Sequence, residues 1–147
     1  MKNTTYSTLL WAAFILCANA QVGKLEKADD DFKEYAFLDA IESYESLIQK
    51  GYSDSSAYKN LGNANYYNAN YEEASKWYGK LFETNAEEID AEYLYRYAQT
   101  LKSLKDYAAS DAWMAKFEQA NKADIRAQKW ADQTHYMEVL EKNSGRY

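Results

Sequence analysis

The chain repeats itself about every 34 residues, and this period constrains the fold more strongly than any other feature. The segment Tyr58–Tyr78 aligns with Leu94–Met114 at an offset of 36 and with Lys24–Tyr44 at an offset of 34. Equivalent positions carry small residues, as at Gly62 and Ala98. A repeat of this length, with small residues where helices would cross, is typical of stacked helical hairpins with a continuous core and a long groove. We therefore predict an all-α solenoid that binds a partner.

The apolar pattern is helical throughout the repeats, and the sequence contains no proline that would interrupt a helix. Residues that favour helix starts gather at 53–56, 68–70 and 122–124. The links between paired helices are short, which predicts antiparallel neighbours. Seven helices are predicted, at Gly23–Tyr35, Leu38–Gln49, Ser55–Tyr67, Glu72–Glu83, Ala91–Leu104, Ala108–Ala120 and Ile125–Glu141.

The middle unit of the array resembles the tetratricopeptide repeat (TPR), which pairs two helices through fixed small and large positions. Tyr58 lies at the first aromatic position, and Leu61-Gly62 matches the Leu-Gly pair. In the second helix, Ala74 matches the small position and Tyr78 the aromatic that follows. The resemblance implies a right-handed solenoid of about three TPR hairpins and a C-terminal capping helix. Its units would cover about residues 21–54, 55–90 and 91–124, with the capping helix at about 125–142.

The two outer units depart from the TPR pattern. Lys24 and Lys27 stand where the first aromatic and the leucine are expected, so the first helix of the array is predicted to be a polar cap. In the third unit, Ala98 replaces the glycine and Ser110 replaces the alanine. Atypical outer units suit a solenoid, because its terminal repeats must face water.

The first twenty residues have the layout of a cleaved secretory signal peptide. Lys2 gives a positive start, and Leu9–Ala18 is an apolar run too short to span a bilayer. Ala18-Asn19-Ala20 then forms a small-residue cleavage site at the end of the predicted signal, residues 1–20. A buried core helix and a lipoprotein anchor at Cys17 are the alternatives. The sequence therefore predicts export to the periplasm without a membrane span, and leaves an association with the outer membrane open.

The export signal and the style of the repeats resemble the N-terminal TPR segment of TPR-bearing OmpA-family envelope proteins. The segments that carry the resemblance read NYEEASKWY, YLYRYAQTLKSLKDY and ADIRAQKW. In that family a β-propeller and a peptidoglycan-binding domain usually follow, and some members belong to secretion or gliding machinery. The segment Asn143–Tyr147 is either a tail or the start of the link to such a propeller. The resemblance implies a fragment or truncated member, with a partner in an envelope or secretion complex.

Several functions are disfavoured by composition. The net charge of −6 argues against nucleic acid or anionic lipid as a partner held by bulk charge. Cys17 and His135 are the only cysteine and histidine, so metal ligands are scarce, and His135 has no nucleophile at a suitable spacing. The run Asp29-Asp30-Asp31 lacks the spacing of a calcium loop and is predicted to be a solvated helix face. We therefore predict no enzyme activity, no cofactor and no metal.

In TPR arrays the first helix of each hairpin lines the concave face, and the resemblance implies which positions face the groove. Lys59 and Asn63 lie one helical turn apart and resemble half of the carboxylate clamp with which some TPR proteins hold a peptide C-terminus. Arg96 and Arg126 do not fall cleanly on the remaining clamp positions. The implied partner-binding residues are Lys59, Asn63, Tyr66, Tyr67, Tyr95, Gln99 and Lys102.

The tyrosines of this set are the predicted anchors, because tyrosine offers a large contact area at low entropic cost. The alternative is that Tyr66, Tyr67 and Tyr95 only pack between helices. Two functions follow. The favoured one is a non-catalytic scaffold of the bacterial cell envelope that recruits another protein through the groove. The alternative is a chaperone-like adaptor that captures extended or C-terminal segments through Lys59 and Asn63.

Overall fold

The computed structural model describes residues 22–84 and 89–144, and the side chains of these residues apart from 135 and 137–144. The predicted signal peptide lies outside the described residues. The described part forms seven helices and no strand, and every helix end lies within three residues of its predicted position. The helices are α1 (22–33), α2 (Phe37–Gln49), α3 (Ser55–Tyr67), α4 (Tyr71–Glu83), α5 (Ala91–Ser103), α6 (Tyr107–Ala120) and α7 (Ile125–Ser144).

The helices stack as three hairpins, α1–α2, α3–α4 and α5–α6, with α7 packed against the last one. Three apolar clusters form the core, and each cluster joins one hairpin to the helix that follows it. The largest fully buried side chains are Tyr44 in the first cluster, Tyr78 in the second and Phe117 in the third. This continuous core confirms the predicted all-α solenoid of TPR-like hairpins. Helix α7 continues to Ser144, so the first two residues of the predicted tail are helical.

The crossing of α3 and α4 explains the one glycine inside α3. A Cβ atom added at Gly62 would lie 2.5 Å from both Cδ1 and Cε1 of Tyr78. Both residues are buried, and Ala74 lies in the same cluster as Tyr78. The glycine therefore lets the aromatic ring lie directly on the backbone of α3, in a core that has no room for another methyl group.

One side chain of the predicted acidic face is instead part of a partly buried contact. The hydroxyl of Tyr44 donates a hydrogen bond to Asp29, and Asn60 Nδ2 donates to the same hydroxyl at 2.7 Å. Asp30 and Asp31 form ion pairs with lysines of their own helix, as expected of a solvated face. The prediction was wrong for Asp29, because a buried tyrosine hydroxyl requires a hydrogen-bond partner.

The three hairpin turns share a left-handed residue that is not glycine. The backbone φ angle is 62° at Tyr35, 58° at Ala69 and 65° at Lys105. In each turn the next N–H donates back to the helix that has just ended, for example from Asp106 to Leu101 at 3.0 Å. This geometry normally uses glycine, because a Cβ atom in the left-handed region costs about 1 kcal/mol or more.

Replacing Lys105 by glycine should therefore stabilise the protein by about 1 kcal/mol, because Lys105 is exposed and only its backbone is strained. Urea unfolding followed by circular dichroism measures the change. Lys105→Ala is the matched control, since alanine keeps the Cβ atom and should therefore leave the free energy of unfolding unchanged. Equal stability changes for glycine and alanine would show that backbone strain is not the cause.

The carboxylate of Asp54 caps α3. It accepts hydrogen bonds from the backbone N–H of Ser56 at 3.1 Å and from the hydroxyl of Tyr52 at 3.0 Å. These bonds, with the backbone bond the largest, lower the pKa of Asp54 below its usual range despite partial burial. The stabilisation is therefore complete above the ordinary carboxyl pKa and is lost as the pH falls through the lower folded value.

Asp54→Ala should lower the free energy of unfolding by about 1 kcal/mol at neutral pH, the usual effect of removing an N-cap side chain. The difference between the two proteins should shrink in acid, where the carboxylate is protonated in both states. Urea unfolding across the acid range tests this. Asp54→Asn is the control, because its amide oxygen accepts at every pH. A difference between wild type and Asp54→Ala that stays constant with pH would contradict the prediction.

Candidate partner-binding groove

Two pockets lie on the face that α1, α3, α5 and α7 form, which we call the groove. The N-terminal pocket encloses about 380 Å³ between the first three of these helices. The C-terminal pocket encloses about 340 Å³ where α5, α6 and α7 meet. The N-terminal pocket is lined by Phe32, Tyr35, Phe37, Asn63, Tyr67 and Arg96. The lining of the C-terminal pocket includes Tyr95, Gln99, Lys102, Arg126, Lys129 and Trp130.

The walls of the N-terminal pocket are aromatic rings that pack on one another and remain open to solvent. Phe37 stacks on Tyr67 with ring centres 5.3 Å apart, and Phe32 lies 5.6 Å from Phe37. Tyr67 is 49% exposed and Tyr35 is 79% exposed. A contiguous aromatic surface of this kind is typical of a binding site rather than of an inert surface.

Tyr35 is strained as well as exposed. It adopts the left-handed φ of 62° at the first hairpin turn, and its ring stands edge-on to Phe37 at 5.9 Å. Bulky residues rarely adopt this conformation, and here little burial offsets its cost. The same backbone conformation occurs at the other two hairpin turns, so it belongs to the turn itself. The exposed ring of Tyr35 at the mouth of the pocket makes it a candidate contact residue.

The floor of the N-terminal pocket is polar. The oxygen of the Asn63 side chain accepts from the Tyr78 hydroxyl at 2.9 Å and from Arg96 Nη1 at 2.7 Å. Burial raises the pKa of Tyr78, which keeps its hydroxyl protonated as a donor. The guanidinium of Arg96 lies 5.2 Å from the centre of the Tyr67 ring. Asn63, which is only 5% exposed, therefore holds Arg96 in place against the aromatic wall.

A chain of ion pairs connects the two pockets. Glu92 accepts from Arg96 Nε at 3.1 Å and from Arg126 Nη2 at 2.7 Å. Arg126 also pairs with Asp124 at 2.8 Å and lies over the ring of Tyr95 at 4.2 Å. Both arginines that the sequence offered for a carboxylate clamp are thus already paired with acids of this chain. Glu92 was not among the groove residues predicted from the sequence. Its contact with Arg126 nevertheless spans 34 residues, which is the repeat period itself.

The predicted groove residues divide between the two pockets. Asn63 and Tyr67 line the N-terminal pocket, whereas Tyr95, Gln99 and Lys102 line the C-terminal one. The sequence prediction did not include Phe32, Tyr35 or Phe37, which the first hairpin contributes. These residues lie at the end of α1, in the turn that follows and at the start of α2. Their signal in the sequence is the concentration of aromatic residues at 32–37.

The remaining two predicted residues line neither of these pockets. Lys59 Nζ lies 5.7 Å from the centre of the Tyr93 ring. Tyr66 is half-buried and meets Tyr67 and Tyr71 edge-on at 5.7 and 6.1 Å. Burial raises the pKa of its hydroxyl. Tyr66 therefore supports Tyr67 from behind, which agrees with the alternative that some of these tyrosines pack between helices.

The described residues offer neither of two other kinds of site. No helix there is both long enough and apolar enough to cross a membrane. No group of three or more histidine, cysteine, aspartate or glutamate side chains there is placed to hold a metal ion.

Fold and groove together define the class: a TPR-like α-solenoid with an aromatic and cationic groove. No family model matches the sequence, and no match was found among curated proteins. Among solved structures, PcrH in complex with the chaperone binding region of PopB matches with a TM-score of 0.59 at 14% identity, over 81% of this chain and 94% of PcrH. The Yersinia enterocolitica type III secretion translocator chaperone SycD matches with a TM-score of 0.58 at 13% identity, over 88% of this chain and 96% of SycD. The similarity supports the TPR-like fold, while the resemblance to OmpA-family proteins stays a prediction.

Proposed function

We propose that this chain is a non-catalytic, chaperone-like adaptor that binds an extended segment of a partner protein in its groove. The observation that carries the proposal is the N-terminal pocket, where exposed aromatic rings and a strained tyrosine surround a fixed arginine. Of the two functions predicted from the sequence, this is the alternative. The fold similarity to PcrH, solved with a bound region of PopB, supports it over the scaffold.

The chemistry of the N-terminal pocket suits an apolar side chain with polar backbone beside it. Phe32, Phe37 and Tyr67 offer ring faces and edges to such a side chain, and the volume leaves room for one large residue. At the floor, Arg96 can donate to a backbone carbonyl of the bound segment, because an arginine carries five N–H donors. Apolar burial would supply affinity, while the polar floor would fix the direction of the chain.

The spacing of the two pockets fits an extended chain. The N-terminal pocket lies among α1, α3 and α5, and the C-terminal pocket lies where α5, α6 and α7 meet. Packed helices lie about 8–10 Å apart, so the pockets are separated by roughly 12–15 Å along the groove. An extended segment covers this distance in about four or five residues. We therefore expect two anchor residues at that separation in the partner sequence.

A scaffold that docks a folded protein is the second candidate. The observation in its favour is that Leu38 and Tyr35 are both strongly exposed at the rim of the first hairpin. A folded partner could cover this rim without entering the pockets. The predicted export signal would place either function in the periplasm, which is part of the proposal.

Tyr35→Gly separates binding from stability. The change removes the ring at the pocket mouth and relieves the left-handed strain, so it should stabilise the fold by about 1 kcal/mol while weakening peptide binding about tenfold. The probes are short peptides selected from a random library that is anchored through its N-termini. Fluorescence polarisation then gives their affinity for each variant.

Lys105→Gly is the matched control, because it makes the same backbone change at the equivalent turn of the third hairpin. Lys105→Gly should stabilise the fold without weakening peptide binding. If Tyr35→Gly binds the selected peptides as tightly as wild type, the N-terminal pocket is not the binding site. If the library yields no binder while a folded partner is captured, the scaffold is the better account.

A further inference from the structure

Between the two pockets, four charged side chains of the groove neutralise one another. Arg96 belongs to the lining of the N-terminal pocket and Arg126 to that of the C-terminal pocket. Glu92 connects them, because its Oε1 accepts from Arg96 Nε at 3.1 Å and its Oε2 from Arg126 Nη2 at 2.7 Å. Asp124 provides the second carboxylate, at 2.8 Å from Arg126 Nη2. Two cations and two anions therefore carry no net charge together.

A segment that reached both pockets would pass over these four side chains. The side chain of Glu92 is 33% exposed and that of Arg126 is 37% exposed. Both guanidinium groups also lie over aromatic rings, Arg126 at 4.2 Å from the centre of Tyr95 and Arg96 at 5.2 Å from the centre of Tyr67. The cations are thus held in place by packing as well as by charge, and the carboxylate of Glu92 is accessible between them.

We propose that Glu92 is a specificity-determining residue that excludes acidic side chains from the stretch of the partner segment between its two anchors. This inference rests on the proposed function, since it assumes a segment that spans both pockets. An incoming carboxylate would need a cation, but Glu92 already engages Arg96 and Arg126 together. The carboxylate would therefore have to displace Glu92 or lie beside it as a like charge, and either outcome weakens binding.

Glu92 is better placed for this role than Asp124, the other acid of the group. Asp124 also caps α7, because its Oδ1 accepts from the backbone N–H of Arg126 at 2.8 Å. Within the described residues, the hydrogen bonds of the Glu92 carboxylate go to the two arginines, and α5 keeps its own cap at Asp90. Removal of the Glu92 charge would therefore leave two cations facing one anion without removing a helix cap.

The test places glutamate, or its neutral isostere glutamine, at each position between the two anchors of a selected peptide. Wild type should bind the glutamate form about fivefold more weakly at the position nearest Glu92. Glu92→Gln should reverse this preference, because two guanidinium groups then face one carboxylate. Glu72→Gln is the matched control, since it removes the same charge from an exposed position of α4 outside both pockets. The control should keep the wild-type preference.

Two further measurements separate charge from damage to the fold. Glu92→Asp keeps the charge on a shorter side chain, so it should still disfavour the glutamate peptide. Salt should reduce the discrimination by wild type, because ions screen the repulsion between exposed like charges. Circular dichroism checks that each variant is folded. If Glu92→Gln did not fold, a wild-type discrimination that is independent of salt would overturn the inference.

The outcomes distinguish the inference from the function on which it rests. Equal binding of the glutamate and glutamine peptides to wild type would overturn the inference and leave peptide binding in place. A folded Glu92→Gln protein that still prefers glutamine at every position would do the same. Failure of the glutamine peptides to bind wild type would contradict the proposed function, and the inference with it.

Discussion

Replacing Gly62 by alanine should lower the free energy of unfolding by about 2 kcal/mol, although alanine is the better helix former. The added methyl group would overlap the ring of Tyr78, since two ring carbons lie only 2.5 Å from the place that the Cβ atom would take. Tyr78 extends from α4 and is fully buried between α3 and α5, and its hydroxyl donates to Asn63. The ring cannot withdraw without breaking that bond and disturbing the second core cluster. Overpacking of this kind costs about 3 kcal/mol, and the gain in helix propensity offsets about 1 kcal/mol of it.

Gly79→Ala is the control for this prediction. Gly79 also lies inside a helix, but a Cβ atom there would meet only the Tyr97 hydroxyl oxygen, at 3.4 Å. Alanine at this position should be neutral or stabilising by up to about 1 kcal/mol. Thermal unfolding should therefore shift in opposite directions for the two variants, by roughly 8 °C downwards for Gly62→Ala. A stabilised Gly62→Ala would show that the helices can separate without cost.

Arg96→Ala should destabilise the protein by about 2–3 kcal/mol, because it removes two charge-assisted hydrogen bonds from a largely buried side chain. The Arg96 side chain is 20% exposed; it connects α5 to α3 through Asn63 and pairs with Glu92 of its own helix. Its loss also removes part of the polar floor of the N-terminal pocket. Peptide affinity should therefore fall together with stability, in contrast to Tyr35→Gly, where the two change in opposite directions.

Arg96→Lys separates the charge from the geometry. Lysine keeps the positive charge but lacks the planar fork that reaches Asn63 and Glu92 together, so about half of the loss should remain. A double-mutant cycle with Asn63→Ala measures the direct coupling, expected at about 1 kcal/mol. Urea unfolding of the four proteins provides the data. An Arg96→Ala protein as stable as wild type would mean that water replaces the guanidinium without loss.

The helices and their order were predictable because their signals are local. Asp54 and Asp124 cap α3 and α7 through hydrogen bonds to N–H groups two residues further on, a contact that depends only on neighbouring residues. Gly62 could also be assigned to a helix crossing, since the TPR pattern marks that position. The turn at Tyr35 was less predictable, because a tyrosine there gives no sign of a left-handed conformation.

The binding surface was only partly predictable, and Asn63 shows why. Its position on the groove side of α3 follows from helical periodicity. Its role does not, because its oxygen bonds to Tyr78 and Arg96, which lie 15 and 33 residues away. Lys129 and Trp130 were likewise absent from the predicted set, since their pocket forms only where α7 packs against the last hairpin.

The stack of helical hairpins and its groove follow from the amino-acid sequence, because helix spacing, caps and small crossing residues act over a few residues and repeat with a fixed period. Which groove side chains remain able to bind a partner depends on how the hairpins pack. Residues about one repeat apart meet there and satisfy one another, as Arg126 and Glu92 do. Other groove side chains, such as Lys102 and Tyr35, are not used in these contacts between neighbouring helices. A partner can reach those side chains.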